Sequence, residues 1–320
     1  MAIGSGLAAQ FGFSAESTYG TYVAPAKFLE FDKTDFTKVK NTAQGGGLAA
    51  GRMAQLASRR VVTTEAASGG VDLEVANKGM GLLLAHLLGS SATPVQQAAT
   101  TAYLQAHTLG DNLGKSLTCQ VGVPDLTGTV RPYTYKGCKI QAAEFSCKVD
   151  EMLKVSLDLD AQKASEVETL VAASYGTGLA PFHFGQLAVK VGATYGSEAS
   201  VSGVKSVNVK IERGMADDRF YAGAAGLKAE PIMNDYVKVS GTIEADFIDK
   251  TIWADRFAAD TQFSLVLEWV GPIIASTYAP RLFITPEIQG GVVTWTGPGT
   301  LQGAPAASNV PPSWKRDASL

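Results

Sequence analysis

A chain that carries one pattern twice has to build one kind of unit twice, and an internal repeat is what most constrains this sequence. Moved forward by 172 positions, Lys33 falls on Lys205, Lys38 on Lys210, Val39 on Ile211, Gly69 on Gly241, Val71 on Ile243, Val75 on Phe247 and Lys78 on Lys250. Acids coincide too, Asp72 with Glu244 and Glu74 with Asp246. Further along the offset becomes 148, from Ser116/Ser264 and Leu117/Leu265 through Pro124/Pro272, Thr129/Thr277 and Pro132/Pro280 to Ile140/Ile288 and Gln141/Gln289. One insertion of 24 residues, the difference between 172 and 148, reconciles the two offsets. It belongs between Ser90 and Lys115, where the sequence reads as a polar connection.

Both copies have the same local pattern. A strand with alternating side chains (Phe36 to Lys40, and Ser206 to Glu212) leads into a glycine-rich excursion. The next strand puts Val71, Leu73 and Val75 on one face and Asp72 and Glu74 on the other, matched by Ile243, Ala245 and Phe247 against Glu244 and Asp246. Period two with acids on one side predicts a sheet wetted on that side. A short amphipathic helix follows in each copy, with Asn77 or Asp249 suited to cap it and Met80, Leu83, Leu84 and Leu87, or Ile252, Trp253 and Phe257, on its apolar side. Two more strands come next, SLTCQVGV then YTYKGCKIQ, and SLVLEWVG then LFITPEIQG. The first copy closes on EMLKVSLDLDA, a strong alternating strand; the second runs into a Pro- and Gly-rich end that reads as an extended or disordered tail without a counterpart. The linker between copies is expected near Ala173 to Pro181, dividing the chain into domains 1–178 and 179–320.

Composition agrees with a globular, turn-rich, mainly β protein: of 320 residues, 46% are hydrophobic, 18% charged and 34 are glycine. A net charge of −3 argues against a protein that grips nucleic acid through a basic surface. No basic segment precedes an apolar run at the start, so no secretory leader is expected, and Met80 to Leu88, the longest apolar stretch, is far too short to cross a bilayer. Cys119, Cys138 and Cys147 lack metal spacing and read as buried reduced thiols.

The residues hold no catalytic signature. His86, His107 and His183 are isolated, with His86 read as a boundary residue of its helix, and no Gly-x-Ser-x-Gly, Walker A or His-Glu-x-x-His pattern occurs. The Gly4–Gly6 and Gly79–Gly81 pairs lack the strand and later glycine of a nucleotide loop. Asp217 and Asp218 could meet calcium, but the spacing of a calcium loop is absent. No enzyme and no cofactor are expected.

The stretches AESTYGTYVAPAKFLEF, SGGVDLEVANKGMGLLLAHLLG and TYKGCKIQAAEFSCKVDEMLKVSLDLDAQ, in that order, resemble the tail tube proteins of long, non-contractile-tailed bacteriophages. VSGVKSVNVKIERGM with the later KVSGTIEADFIDK is similar to the same family's strand, loop, strand, helix arrangement, so the resemblance spans nearly the whole chain. It implies a mainly β fold with short helices: two tandem tube-like β-sandwich or barrel domains, each with one flanking helix. It also implies a structural virion protein, assembled in the host cytoplasm, whose domains join into rings with a continuous β-barrel wall. Such rings stack into a channel for DNA passing from capsid to host, and other tail proteins sit at the tube ends. The family's usual ring of six domains would need three duplicated chains, a homotrimer with pseudo-sixfold symmetry; a homohexamer stays open.

On that reading Asp72, Glu74, Glu244 and Asp246 are candidates to line the lumen, a plain solvated outer face being the alternative. The excursions Gly45 to Arg60 and Ala216 to Pro231 are expected to order only on assembly, with Arg52, Arg59, Arg60, Asp217 and Asp218 as contacts between rings; the alternative is a mobile hairpin tip. Other functional readings left open are the tube of a contractile tail or injection apparatus, a virion carbohydrate-binding or adhesin β-sandwich, and a hydrolase.

Overall fold

The computed structural model describes residues 6–96, 102–194, 196–259, 263–271, 281–285, 287–288, 292–295, 300–304 and 313–319. Its first half runs β1 (Gln10–Ala15), β2 (Lys27–Leu29), β3 (Lys33–Thr34), β4 (Thr37–Gln44), β5 (Arg60–Glu74), α1 (Gly81–Leu88), β6 (Gly89–Ser91), β7 (Val95–Gln96), β8 (Ala102–Leu109), β9 (Leu117–Pro124), β10 (Val130–Lys148), β11 (Lys154–Ala161) and β12 (Lys163–Ser165). The second half runs β13 (Leu187–Gly192), β14 (Ala199–Val201), β15 (Val204–Glu212), β16 (Met215–Ala216), β17 (Ile232–Met233), β18 (Lys238–Ala245), α2 (Ala254–Ala258), β19 (Phe263–Val270), β20 (Arg281–Thr285), β21 (Glu287–Ile288), β22 (Val292–Trp295), β23 (Thr300–Ala304) and β24 (Ser313–Ser319). The fold is mainly β with short helices, as the alternating patterns require.

Alternation in sequence becomes burial in space. Val71 and Leu73 in β5, Val155, Leu157 and Leu159 in β11, and Val207, Val209 and Ile211 in β15 are buried between more exposed polar neighbours. Helix α1 buries Leu83, Leu84, Leu87 and Leu88 together, which places it in the interior, and it ends on Gly89 at φ 86°, a left-handed turn that glycine makes without strain.

The long strand β10 holds two sheets together. Its first part pairs with β9 and β12, its second part with β11 and β15, and the register shifts between Tyr135 and Cys138. Gly137, at φ 66°, sits in that shift; a Cβ there would lie 2.9 Å from Gln162 Cβ and from the Tyr19 ring. The Gly137 amide donates to buried Glu16, whose carboxylate also accepts from Ser116 Oγ, Thr118 Oγ1 and the Gly20 amide at 2.7–2.9 Å. Four donors on one buried acid satisfy it fully and tie the segment after β1 to the place where β10 changes sheets.

One outer sheet has the order β2-β1-β9-β10, with β12 beside β10. The other runs β14-β13-β19-β20-β24-β8-β6, and no sheet closes on itself among the described residues. Between them, pairings carry one antiparallel sheet through both halves in the order β4-β5-β11-β10-β15-β18-β23-β22.

Several expectations need correction. The region from Ser90 to Lys115 is no loose connection: β8 extends an outer sheet between β6 and β24. The tail contributes β23, which pairs with β18 as β11 pairs with β5, and β24, which pairs with β20; short strands set among Gly and Pro hid their pattern. Thr34 opposes Val71 while Val207 opposes Ile243, so the early strand repeats at 173 rather than 172. Asn77 and Asp249 cap neither helix: Met80 and Trp253 hold those places, while Asn77 Oδ1 accepts from the Ala180 amide and Asp249 Oδ1 from the Thr251 amide. Phe247 and Phe257 lie on the surface because β18 ends at Ala245 and α2 spans five residues. Pro272, Thr277, Pro280 and Gln289 fall outside the described residues.

Replacing fully buried Leu73 with Ala should cost about 2–5 kcal/mol in urea unfolding, whereas Val39→Ala, at a position 43% exposed, should stay within about 0.5 kcal/mol. Equal losses at both positions would contradict this core assignment.

Candidate assembly surface

The continuous eight-strand sheet has one dry and one wet face. Buried Val71, Leu73, Ile243 and Ala245 point to the core, so Asp72, Glu74 and Glu244, which alternate with them, lie on the wet face. Ser156 Oγ donates to Asp72 Oδ1 across the β5–β11 ladder, and Ser206 Oγ donates to Glu244 Oε2 at 3.3 Å across β15–β18. Asp246 lies just beyond β18 and is neutralised by Lys205 at 2.5 Å, which in turn holds the lysine above its ordinary range. Lys154 is likewise held up by Asp32, and Lys210 by Glu212. The face is therefore mixed in charge, with its acids interleaved by paired lysines.

The two excursions end up in different states. Strands β4 and β5 continue their ladder out to Gln44 opposite Arg60, and every residue from 37 to 63 is exposed. Arg52, Arg59 and Arg60 stand on this hairpin; Arg59 Nη1 reaches only the Gly47 carbonyl, at 3.4 Å. The expectation that the segment orders only on assembly is corrected by this ladder, whose backbone bonds hold the hairpin in the single chain.

Its counterpart in the second half folds back onto the first. Arg213 donates to the Leu87 and Gly110 carbonyls at 2.7 and 2.6 Å, the Glu65 amide donates to Gly226 O at 3.0 Å, and Gln162 Nε2 to Lys228 O at 2.8 Å. Burial pulls the Arg213 guanidinium down to about 10. Lys228 forms a buried ion pair with Asp160, and Lys139 pairs with Glu230 at 2.5 Å. Asp217 and Asp218 are exposed on the same segment, Asp217 accepting from Gln141 Nε2 at 3.0 Å; neither meets the three arginines within the chain.

Asp160 and Lys228 were not singled out from sequence, for a physical reason. By alternation along β11, Asp160 belongs with Lys154, Ser156 and Asp158 on the wet face; only a segment far along the chain covers it. Burial pushes the Asp160 carboxyl up to about 6, against the pull of the Lys228 ammonium.

Elsewhere the chemistry is sparse. The three cysteines are free and buried, with burial pushing the Cys138 and Cys147 thiols up. His86 is buried rather than at a boundary, its Nδ1 bonded to the Leu82 carbonyl at 2.9 Å and its basicity lowered by burial; His183 Nδ1 accepts from the Gly185 amide. Among the described residues no group of three His, Cys, Asp or Glu could hold a metal ion, and no helix is long and apolar enough to cross a membrane. An open cleft lined by Leu109, Asp111, Leu113, Ile232, Asp235 and Tyr236 brings no nucleophile to a base.

What the molecule offers instead is edge and surface. A family model described as phage tail tube protein matches residues 6–312, nearly the whole chain. The chain belongs to the phage tail tube protein family. No curated protein sequence matches it. As a tail tube protein it is a structural component of the phage virion, located in the tail, and family membership implies assembly with its own copies and other tail proteins.

Removing the cation from the buried pair of this tail tube protein, by Lys228→Met, should cost about 3 kcal/mol or more at pH 7. Because Asp160 has a folded pKa above its ordinary 3.8, its contribution favours folding below about pH 4 and is lost as pH rises through about 6. The penalty of Lys228→Met should therefore shrink between pH 7 and pH 4.5 in chemical unfolding. A penalty independent of pH would contradict the pair.

Proposed function

We propose that this tail tube protein forms rings whose inner wall is the continuous eight-strand sheet, and that the rings stack into a channel carrying DNA from capsid to host. The observation that carries the reading is the β10–β15 pairing. In the first half β10 pairs with β11 and β11 with β5, and in the second β22 pairs with β23 and β23 with β18; Phe145 opposite Val155 recurs as Val293 opposite Gly303, while β18 and β23 (Ile243 opposite Leu301) pair four residues out of the β5–β11 register (Val71 opposite Leu157). β22 thus takes the place in the second half that the later part of β10 takes in the first, and β3 with the start of β4, residues 33–39, is the first half's version of β15. Inside the chain those two kinds of edge are joined. The same two kinds of edge stand at the ends of the continuous sheet, where β4 pairs with β5 and β22 with β23, each on one side.

An unpaired edge is a template for another strand, and a head-to-tail contact of this kind makes a ring when its rotation closes. Domains 1–178 and 179–320 would then be equivalent wall units, and three chains would supply the six that the resemblance implies. We favour that homotrimer, in a long non-contractile tail assembled in the host cytoplasm. The wet face carrying Asp72, Glu74 and Glu244, with Asp246 at its rim, would line the bore, where lysines already paired with acids leave no free basic patch for phosphate to hold. The β4–β5 ladder runs on past the last β11 rung, Ala161 opposite Ala67, and the tip of this hairpin, with Arg52, would reach acids such as Asp217 and Asp218 on the next ring.

Electron microscopy of purified protein tests the reading: hollow rods or rings with threefold averages and six wall units are expected, and compact monomers at all concentrations would refute it. Deleting Gly46 to Ala57 should leave a soluble subunit that no longer forms rods; unchanged tubes would reject the role given to the tip.

A further inference from the structure

The continuous sheet has two unlike ends. Along β5 the hairpin tip lies past Arg60, and the opposite end is reached at Glu74, which faces Lys154. Across the ladder from there, Ser146 opposes Lys154, Lys148 opposes Ser206 and Val204 opposes Ala245, so the turn after β10, the approach to β15 and the exit from β18 stand side by side. The Val149 amide donates to the Lys205 carbonyl at 3.1 Å and the Asp246 amide to the Gly203 carbonyl at 2.9 Å. Ile248 packs so closely on Gly203 that a Cβ there would lie 2.6 Å from its Cδ1. Residues 148–152, 202–205 and 246–248 therefore form one rim.

Tip and rim complement each other chemically. Residues 45–60 carry three arginines and no acid, and a turn in which the Arg52 amide donates to the Ala49 carbonyl at 3.1 Å, with Gly51 at φ 79°, holds Arg52 at the end of the hairpin. Leu48 and Met53 are wholly exposed on the same tip. On the rim, Lys154 is taken by Asp32 and Lys205 by Asp246, which leaves exposed Asp150 and Glu151 without an ion-pair partner among the described residues. Val149 and Ile248, 49% and 62% exposed, supply apolar surface on that rim. The reach also fits. Ala67, at the last β11 rung, is the midpoint of the 15-residue β5, so the hairpin overshoots that rung by as much as β5 runs the other way, about 23 Å.

We propose that the hairpin tip of one chain seats on this rim of a chain in the next ring, with Arg52 against Asp150 and Glu151, and Leu48 and Met53 over Val149 and Ile248. A contact between opposite ends of one surface is heterologous and does not close, so it repeats along a tube. Burial of the apolar side chains drives the contact, and the charges fix its polarity: two tips together would set arginine against arginine, and two rims carboxylate against carboxylate. The inference rests on the stacking reading above. It gives the tip a seat at the far end of the sheet in place of Asp217 and Asp218, which belong to the hairpin's own end, where Asp217 accepts from Gln141 next to the Ile140–Leu159 rung.

The test compares full-length wild type with Arg52→Glu, Glu151→Arg, Met53→Asp and the double variant Arg52→Glu/Glu151→Arg, by sedimentation velocity and negative-stain microscopy across concentration. Each single change should raise the concentration at which rods form about tenfold or more, and the double variant should recover most of that loss. Thermal unfolding of the dilute variants should match wild type, because all three side chains are exposed, which separates a stacking defect from a folding defect. Single variants that form rods like wild type would overturn the seat while leaving stacking intact. So would a loss in Arg52→Glu that Asp217→Arg restores and Glu151→Arg does not. A wild type that forms no rods at any concentration would instead remove the stacking reading, and this inference with it.

Discussion

Backbone hydrogen bonds at a sheet edge have to go somewhere. Where β10 meets β15, each supplies the donors and acceptors the other lacks, and two halves of the chain become one surface. That union leaves β4 and β22 at the ends of the same sheet. An edge strand left open invites pairing with another chain, and in the proposed ring these two edges would meet between neighbours.

Strand β10 is the principal support. One strand that pairs first in an outer sheet and then in the continuous sheet must bend between them, and the bend is built from Gly137 and the four-donor cradle around Glu16. The folded-back segment 213–237 adds a second brace across the junction through Arg213, Lys228 and Glu230. Pairs that bury charge gain little net stability over apolar packing, but they reject misregistered partners, which suits a joint that must form one way. The apolar core beneath, with Phe11, Phe13 and Leu117 at no exposure, makes the subunit rigid enough to present both edges at fixed geometry.

Much of this was legible in the sequence because period-two alternation reports directly on burial. Val71 and Leu73, Ile243 and Ala245, and Val155, Leu157 and Leu159 all face the core as read, and the order of strand, excursion, strand, helix, strand, strand recurs in the second half. What escaped reading depends on contacts distant along the chain. Asp160 and Lys139 have ordinary strand positions, and only the return of residues 213–237 buries them. Strands β8 and β24 support each other, so neither segment shows a pattern alone. The one-residue slip of the early strand is accommodated by a register shift between Val204 and Ser206, invisible to an alignment made on residue type. Of the candidate residues, the acids on β5 and β18 lie on one face of the continuous sheet, whereas the arginines and Asp217 and Asp218 stay apart because their loops took different courses.

In the proposed ring, the joint inside the chain is the template for the joint between chains. Amide hydrogen exchange of the free and assembled protein measures it directly, since backbone protection follows pairing. In the free subunit the amides of β10 and β15 at their junction should already be protected, while the outward amides of β4 and β22 exchange freely; assembly should then slow both edges to the rate of the internal junction. Assembled tubes in which β4 and β22 still exchange as fast as in the free subunit would contradict the account.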